Sequence, residues 1–102
     1  MPIIIEVSPE AQRMLDESDE LWINEHGYAV DNPLLNEISR AAELLRTAPD
    51  LGISYRARTF RREIRRLLLR SGWHLYYSYD APRGTVVIVA IWFATRGSGP
   101  PL

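Results

Sequence analysis

The sequence has 102 residues, 46% of them apolar and 25% charged, with no cysteine and a net charge of −1. A chain of this length is one domain, able to bury roughly two-thirds of its unfolded surface. The lack of cysteine excludes disulfide frameworks and thiolate metal sites.

The small net charge hides a split. Residues 1–50 hold 11 acids and 3 bases, whereas residues 51–102 hold 9 bases and 2 acids. The expectation is one acidic and one basic face, the basic one suited to an anionic partner. Every base is Arg. Its planar fork suits carboxylate or phosphate, and it neither gives nor takes protons near neutrality.

Residues 3–7, Ile-Ile-Ile-Glu-Val, are rich in β-branched side chains and read as an opening strand. Ser8-Pro9 then starts a helix, with Ser as the cap and Pro at the first helical position. Ala11, Met14, Leu15, Leu21 and Trp22 recur at helical spacing, and Gly27 stops the pattern. Asn32-Pro33 repeats the start signal. Leu34, Leu35, Ile38, Ala41, Ala42, Leu45 and Ala48 mark a second amphipathic helix, ended by Pro49. Two helices joined by so short a link form a helix hairpin.

Residues 50–60 read as a loop. Residues 63–69, Glu-Ile-Arg-Arg-Leu-Leu-Leu, read as a strand, and Ser71-Gly72 turns the chain into a strand over 73–79. Asp80-Ala81-Pro82-Arg83-Gly84 is a hairpin loop. Residues 85–93 are apolar at both parities, as in a central strand covered on both faces. The tail, 95–102, is rich in Gly and Pro and reads as flexible, leaving a single folded domain over 1–94. The fold class is α+β, a two-layer arrangement in which a helix hairpin packs on a small antiparallel sheet in the order β–α–α–β–β–β.

The longest apolar run, residues 86–94, has nine residues, far short of the about 20 that a membrane-spanning helix needs. The first residues lack a basic signal-peptide region, so the expectation is a cytoplasmic protein without membrane contact. No Gly-rich phosphate loop and no carboxylate–His cluster at ligand spacing is present, so neither a cofactor nor a metal is expected.

The element order and several local stretches resemble the RelE/ParE toxins of type II toxin–antitoxin systems. The carrying residues are Ile64-Arg65-Arg66-Leu67-Leu68-Leu69, Trp73-His74-Leu75-Tyr76-Tyr77, Val87-Ile88-Val89-Ala90-Ile91-Trp92 and Arg96-Gly97. Ser8-Pro9-Glu10-Ala11 and the Pro49-Asp50-Leu51-Gly52 loop fit as well. The Arg-rich strand followed by Leu-Tyr-Tyr is similar to the ParE branch. The resemblance implies a cognate antitoxin that wraps and silences the chain. It also implies one of two targets. ParE-like members poison DNA gyrase by binding. RelE-like members cut messenger RNA in the ribosome.

The residues bear on that choice. Alternation puts Arg66 and Arg70 on one strand face and Leu67 and Leu69 on the other. Arg65, Arg66, Arg70, Arg83 and Arg96 are the candidates for holding an anionic target or an acidic antitoxin segment. RNA cleavage also needs proton transfer, for which His74 and Tyr76 are the candidates and His26 lies too far away. Tyr77 and Tyr79 share a parity with Trp73 and Leu75 and read as core. Related sequences often carry His where this chain has Phe93, which cannot shuttle protons. The sequence therefore favours inhibition of gyrase by binding, with messenger-RNA cleavage as the alternative. Residues 86–93 are also too apolar to stand bare, so the sheet needs a cover.

Overall fold

The computed structural model describes residues 2–58, 60–93 and 99–102. Its elements are β1 (Ile4–Val7), α1 (Pro9–His26), α2 (Pro33–Thr47), β2 (Ile53–Tyr55), β3 (Ile64–Leu68), β4 (Trp73–Asp80) and β5 (Thr85–Phe93). Among the described residues no helix is long and apolar enough to cross a membrane.

Both helices start as their sequences dictate. The Ser8 hydroxyl accepts the Ala11 N–H at 3.1 Å, and the Asn32 side-chain oxygen accepts the Leu34 N–H at 3.1 Å. Each cap satisfies an N–H that the first helical turn leaves without a partner. Gly27 closes α1 at φ 78°, donating its N–H to the Ile23 carbonyl at 2.7 Å. Ala11, Met14 and Leu15 of α1 and Leu34, Ile38, Ala41 and Leu45 of α2 form the stripes that meet the sheet.

The sheet has the order β1-β5-β4-β3-β2. It is mixed rather than purely antiparallel, because β1 lies parallel to β5 while the remaining neighbours run antiparallel. The apolar character of β5 accounts for this. A strand buried on both faces needs a neighbour on each side, and β1 supplies the second ladder. The Ile4 N–H to the Gly84 carbonyl and the Ser8 N–H to the Ile88 carbonyl, both 2.9 Å, extend that ladder past its ends.

A β-bulge divides β5. Tyr76 pairs with Ala90 and Tyr77 with Ile88, so Val89 has no opposite number. The extra residue switches the strand's parity. Val86, Ile88 and Ile91 pack under the helices beside Leu75 and Tyr77. Val89 and Ala90 join Ile64 and Tyr76 in a second, smaller cluster on the opposite face. One strand thereby serves two cores.

The loop expected over 50–60 contains a strand instead. Ile53, Ser54 and Tyr55 pair with Arg66, Arg65 and Ile64. Contacts distant in sequence hold this short edge. The Gly52 N–H donates to the Tyr77 phenol oxygen at 2.8 Å, and Arg65 donates to the Gly52 carbonyl at 2.7 Å and the Asp50 carbonyl at 3.1 Å. A three-residue strand carries too little periodicity to announce itself.

Gly52 has no room for a side chain. A Cβ there would lie 2.8 Å from the Tyr77 phenol oxygen and 3.0 Å from the Arg66 carbonyl oxygen. Gly52→Ala should therefore cost about 1–3 kcal/mol through overpacking, and Tyr77→Phe about 1 kcal/mol through the lost hydrogen bond. Denaturant unfolding checks both, and unchanged midpoints would remove this contact from the account.

Candidate functional site

The face of the sheet away from the helices is the candidate site. Strand alternation selects its residues, and the register aligns them. Arg66 of β3 stands opposite Tyr76 of β4, Leu68 opposite His74, and His74 opposite Trp92 of β5. Tyr55 enters from β2, two residues from the one opposite Arg66.

The rings and the guanidinium form one group. Tyr55 and Tyr76 meet edge to face, with centroids 4.8 Å apart. His74 lies 6.3 Å from Tyr76, also edge on. The Arg66 guanidinium carbon sits 5.8 Å from the centroid of the Tyr55 ring, within cation–π range. Among the described residues no carboxylate pairs with Arg66, unlike Arg13, Arg46, Arg62 and Arg65. Ile53 and Leu68 flank the group and are the most exposed apolar side chains of the sheet, at 70% and 67%.

This setting fixes the protonation states. Burial, then the Arg66 charge, lowers the His74 pKa below its ordinary 6.5. Burial, then the neighbouring Tyr55, pushes the Tyr76 phenol up, and Arg66 opposes that shift. At neutral pH the face therefore offers an imidazole biased to the neutral form, a phenol that keeps its proton, and a permanent cation across from that phenol.

The structure separates the other arginines named from the sequence. Arg65 points to the opposite side of β3, where it binds the Asp50 and Gly52 carbonyls and Glu63, the last at 2.9 Å. Arg70 follows the end of β3 and lines a groove with Glu37, Arg40 and Leu44 of α2, so it does not share the face of Arg66. Arg83 sits at the tip of the β4–β5 hairpin, where its N–H meets the Asp80 carboxylate at 3.4 Å. Arg96 lies outside the described residues. His26 stacks on Trp22 at the end of α1, with centroids 3.8 Å apart. Phe93 leans on Trp73, on the helix side of the sheet, at 5.3 Å. Its lack of a titratable group therefore says nothing about chemistry on the opposite face.

Tyr55 is the site residue that sequence reasoning missed, since it sat in the expected loop. Its three-residue strand is too short for alternation to have marked it in the sequence. Among the described residues no cluster of three or more His, Asp or Glu could hold a metal ion.

This arrangement, two helices on one side of a five-stranded sheet, is the fold of the RelE toxins. Several solved structures share it, among them the following three. The RelBE2 toxin–antitoxin complex from Mycobacterium tuberculosis has a TM-score of 0.62 and 20% identity, over 91% of this chain and 99% of that one. The RelE toxin of E. coli, solved as a mutant in the free state, has a TM-score of 0.61 and 13% identity, over 95% and 88%. The RelE–RelB complex from Pyrococcus horikoshii has a TM-score of 0.60 and 10% identity, over 95% and 100%. No protein-family model matches the chain, and no curated protein does.

The sign of the His74 shift gives a test. With its folded pKa below 6.5, the folded chain resists a proton that the unfolded chain takes up. Stability should therefore fall as pH drops from 6.5 toward the folded midpoint, and His74→Gln should remove that part of the loss. In an NMR titration the His74 midpoint should lie below 6.5 and rise part of the way back in Arg66→Gln. A midpoint that ignores Arg66 would separate the two groups.

Proposed function

We propose that this chain is the toxin half of a toxin–antitoxin pair and acts on RNA through the open face of its sheet. The RelE fold supports the first part, since two of the solved relatives are complexes of a toxin with its antitoxin. One observation carries the second. Arg66, His74 and Tyr76 stand together on one face, with His74 biased to the neutral form and Tyr76 to the protonated one.

Cleavage of RNA by its own 2′-hydroxyl needs three services, and this group can supply each. His74 accepts the 2′-hydroxyl proton as oxygen attacks phosphorus. Arg66 offsets the charge that builds on the phosphoryl oxygens. Tyr76 gives its proton to the departing 5′-oxygen, and the phosphate is left as a 2′,3′-cyclic diester. Tyr55 and Trp92 flank the group with ring surfaces on which unpaired bases stack. Messenger RNA held on the ribosome is the substrate suggested by the resemblance to RelE.

Binding to DNA gyrase without chemistry is the second reading. The near-complete burial of Tyr76, at 2% exposure, favours it, because a packed phenol serves a core as well as a site.

Induction of the chain alone in a bacterial host separates the two. RNA cleavage predicts that pulse-labelled translation falls before any DNA-break response, with transcripts cut at discrete positions. His74→Ala should reduce cutting at least about 100-fold, and Arg66→Ala should do the same through lost charge stabilisation. DNA breaks with early translation intact would reject RNA cleavage in favour of gyrase.

A further inference from the structure

The open face is not bare. Residues 99–102 lie across it. Leu102 packs against the cluster formed by Ile64, Tyr76, Val89 and Ala90. Pro101 and Leu102 share a hollow with Met14, Phe60, Val87 and Val89. The Leu102 carbonyl accepts the Arg58 N–H at 2.7 Å, and Pro100 is buried. Gly99 stands so close to the rings that an added Cβ would lie 2.6 Å from the Tyr55 phenol oxygen and 3.8 Å from that of Tyr76.

Gly99 stands at the hydroxyl ends of Tyr55 and Tyr76, where a phosphate or base reaching both phenols would have to lie. Two bodies cannot occupy that place, so the segment and such a ligand exclude each other. Among the described residues, the apolar contacts of Leu102 and Pro101, the burial of Pro100 and the hydrogen bond from Arg58 oppose the entropy of ordering the segment. Pro100 and Pro101 lower that entropy by fixing their φ angles in advance. A segment so balanced can close and still yield.

We infer that residues 99–102 form a strap that closes the open face over Tyr55 and Tyr76, and that an RNA strand must displace it to reach Arg66 and His74. The inference rests on the RNA reading of that face, and the strap also has a readout independent of RNA.

Two substitutions in the full chain release the strap by different means. Gly99→Val drives side-chain atoms into the Tyr55 phenol. Leu102→Asp removes the apolar anchor and sets a charge near Glu10, which lines the same hollow. Nitration by tetranitromethane, mapped by mass spectrometry, reports on access to each tyrosine. Tyr55 and Tyr76 should react several-fold faster in both variants. Tyr77, fully buried on the helix side, should not change and serves as the control. Affinity for a 2′-O-methylated RNA oligonucleotide, which cannot be cleaved, should rise about tenfold if the strap is closed in about nine-tenths of the molecules.

Unchanged nitration of Tyr55 and Tyr76 in both variants would overturn the strap. Faster nitration with unchanged RNA affinity would show that the strap closes but does not gate RNA, and would overturn the inference as stated. If neither the parent nor the variants bind RNA, the RNA reading fails, while faster nitration would still establish a strap over the face.

Discussion

The contact between the Gly52 backbone and the Tyr77 phenol brings Tyr55 to the open face, where the register of β3, β4 and β5 has already grouped Arg66, His74, Tyr76 and Trp92. Tyr77 is fully buried beneath the helices, so its hydroxyl needs a partner. It finds one in the Gly52 N–H at 2.8 Å, at a distance only glycine allows. Arg65 grips the same turn through two carbonyls. Together these bonds pin β2 to the edge of the sheet, and β2 delivers Tyr55 to Tyr76 and Arg66. A residue at the bottom of one core thus shapes the face of the other.

The same economy governs the charges. Arg65 and Arg66 are neighbours in sequence, yet strand alternation sends them to opposite sides of β3. Arg65 spends its guanidinium on the fold, bound to backbone oxygens and Glu63. Arg66 keeps its charge beside two tyrosines and a histidine. Partial burial raises the influence of that charge, because fewer waters screen it. The shifts of His74 and Tyr76 follow from the neighbourhood that the register builds.

Much of the fold was legible in the sequence. The Ser8-Pro9 and Asn32-Pro33 starts and the spacing of Leu34, Ile38, Ala41 and Leu45 marked two helices whose packing obeys local rules. The double-sided apolar run of β5 announced a central strand, and its bulge explains why both parities are apolar. The sequence left open which strand would flank β5, because pairing depends on contacts far apart in the chain. β2 escaped notice for the same reason, and Tyr55 with it. The parity of Arg66 was readable, whereas the face of His74 was settled only by its register opposite Leu68 and Trp92. Their grouping with Tyr55 was not readable either, since it depends on Gly52 meeting Tyr77 across 25 residues. The cover that the apolar sheet called for comes in part from the chain itself, in Ala57 and Leu102.

The central claim is that RNA meets the chain on the face of Arg66, and its most direct test is a map of where RNA touches. Assigned NMR spectra recorded while a single-stranded, 2′-O-methylated RNA is added would give that map residue by residue. The account predicts shifts centred on Tyr55, Arg66, His74, Tyr76 and Trp92, with the helix-side residues Leu34, Ala41 and Tyr77 unmoved. Shifts centred instead on the α2 groove around Arg40, Leu44 and Arg70, with the open face silent, would contradict it.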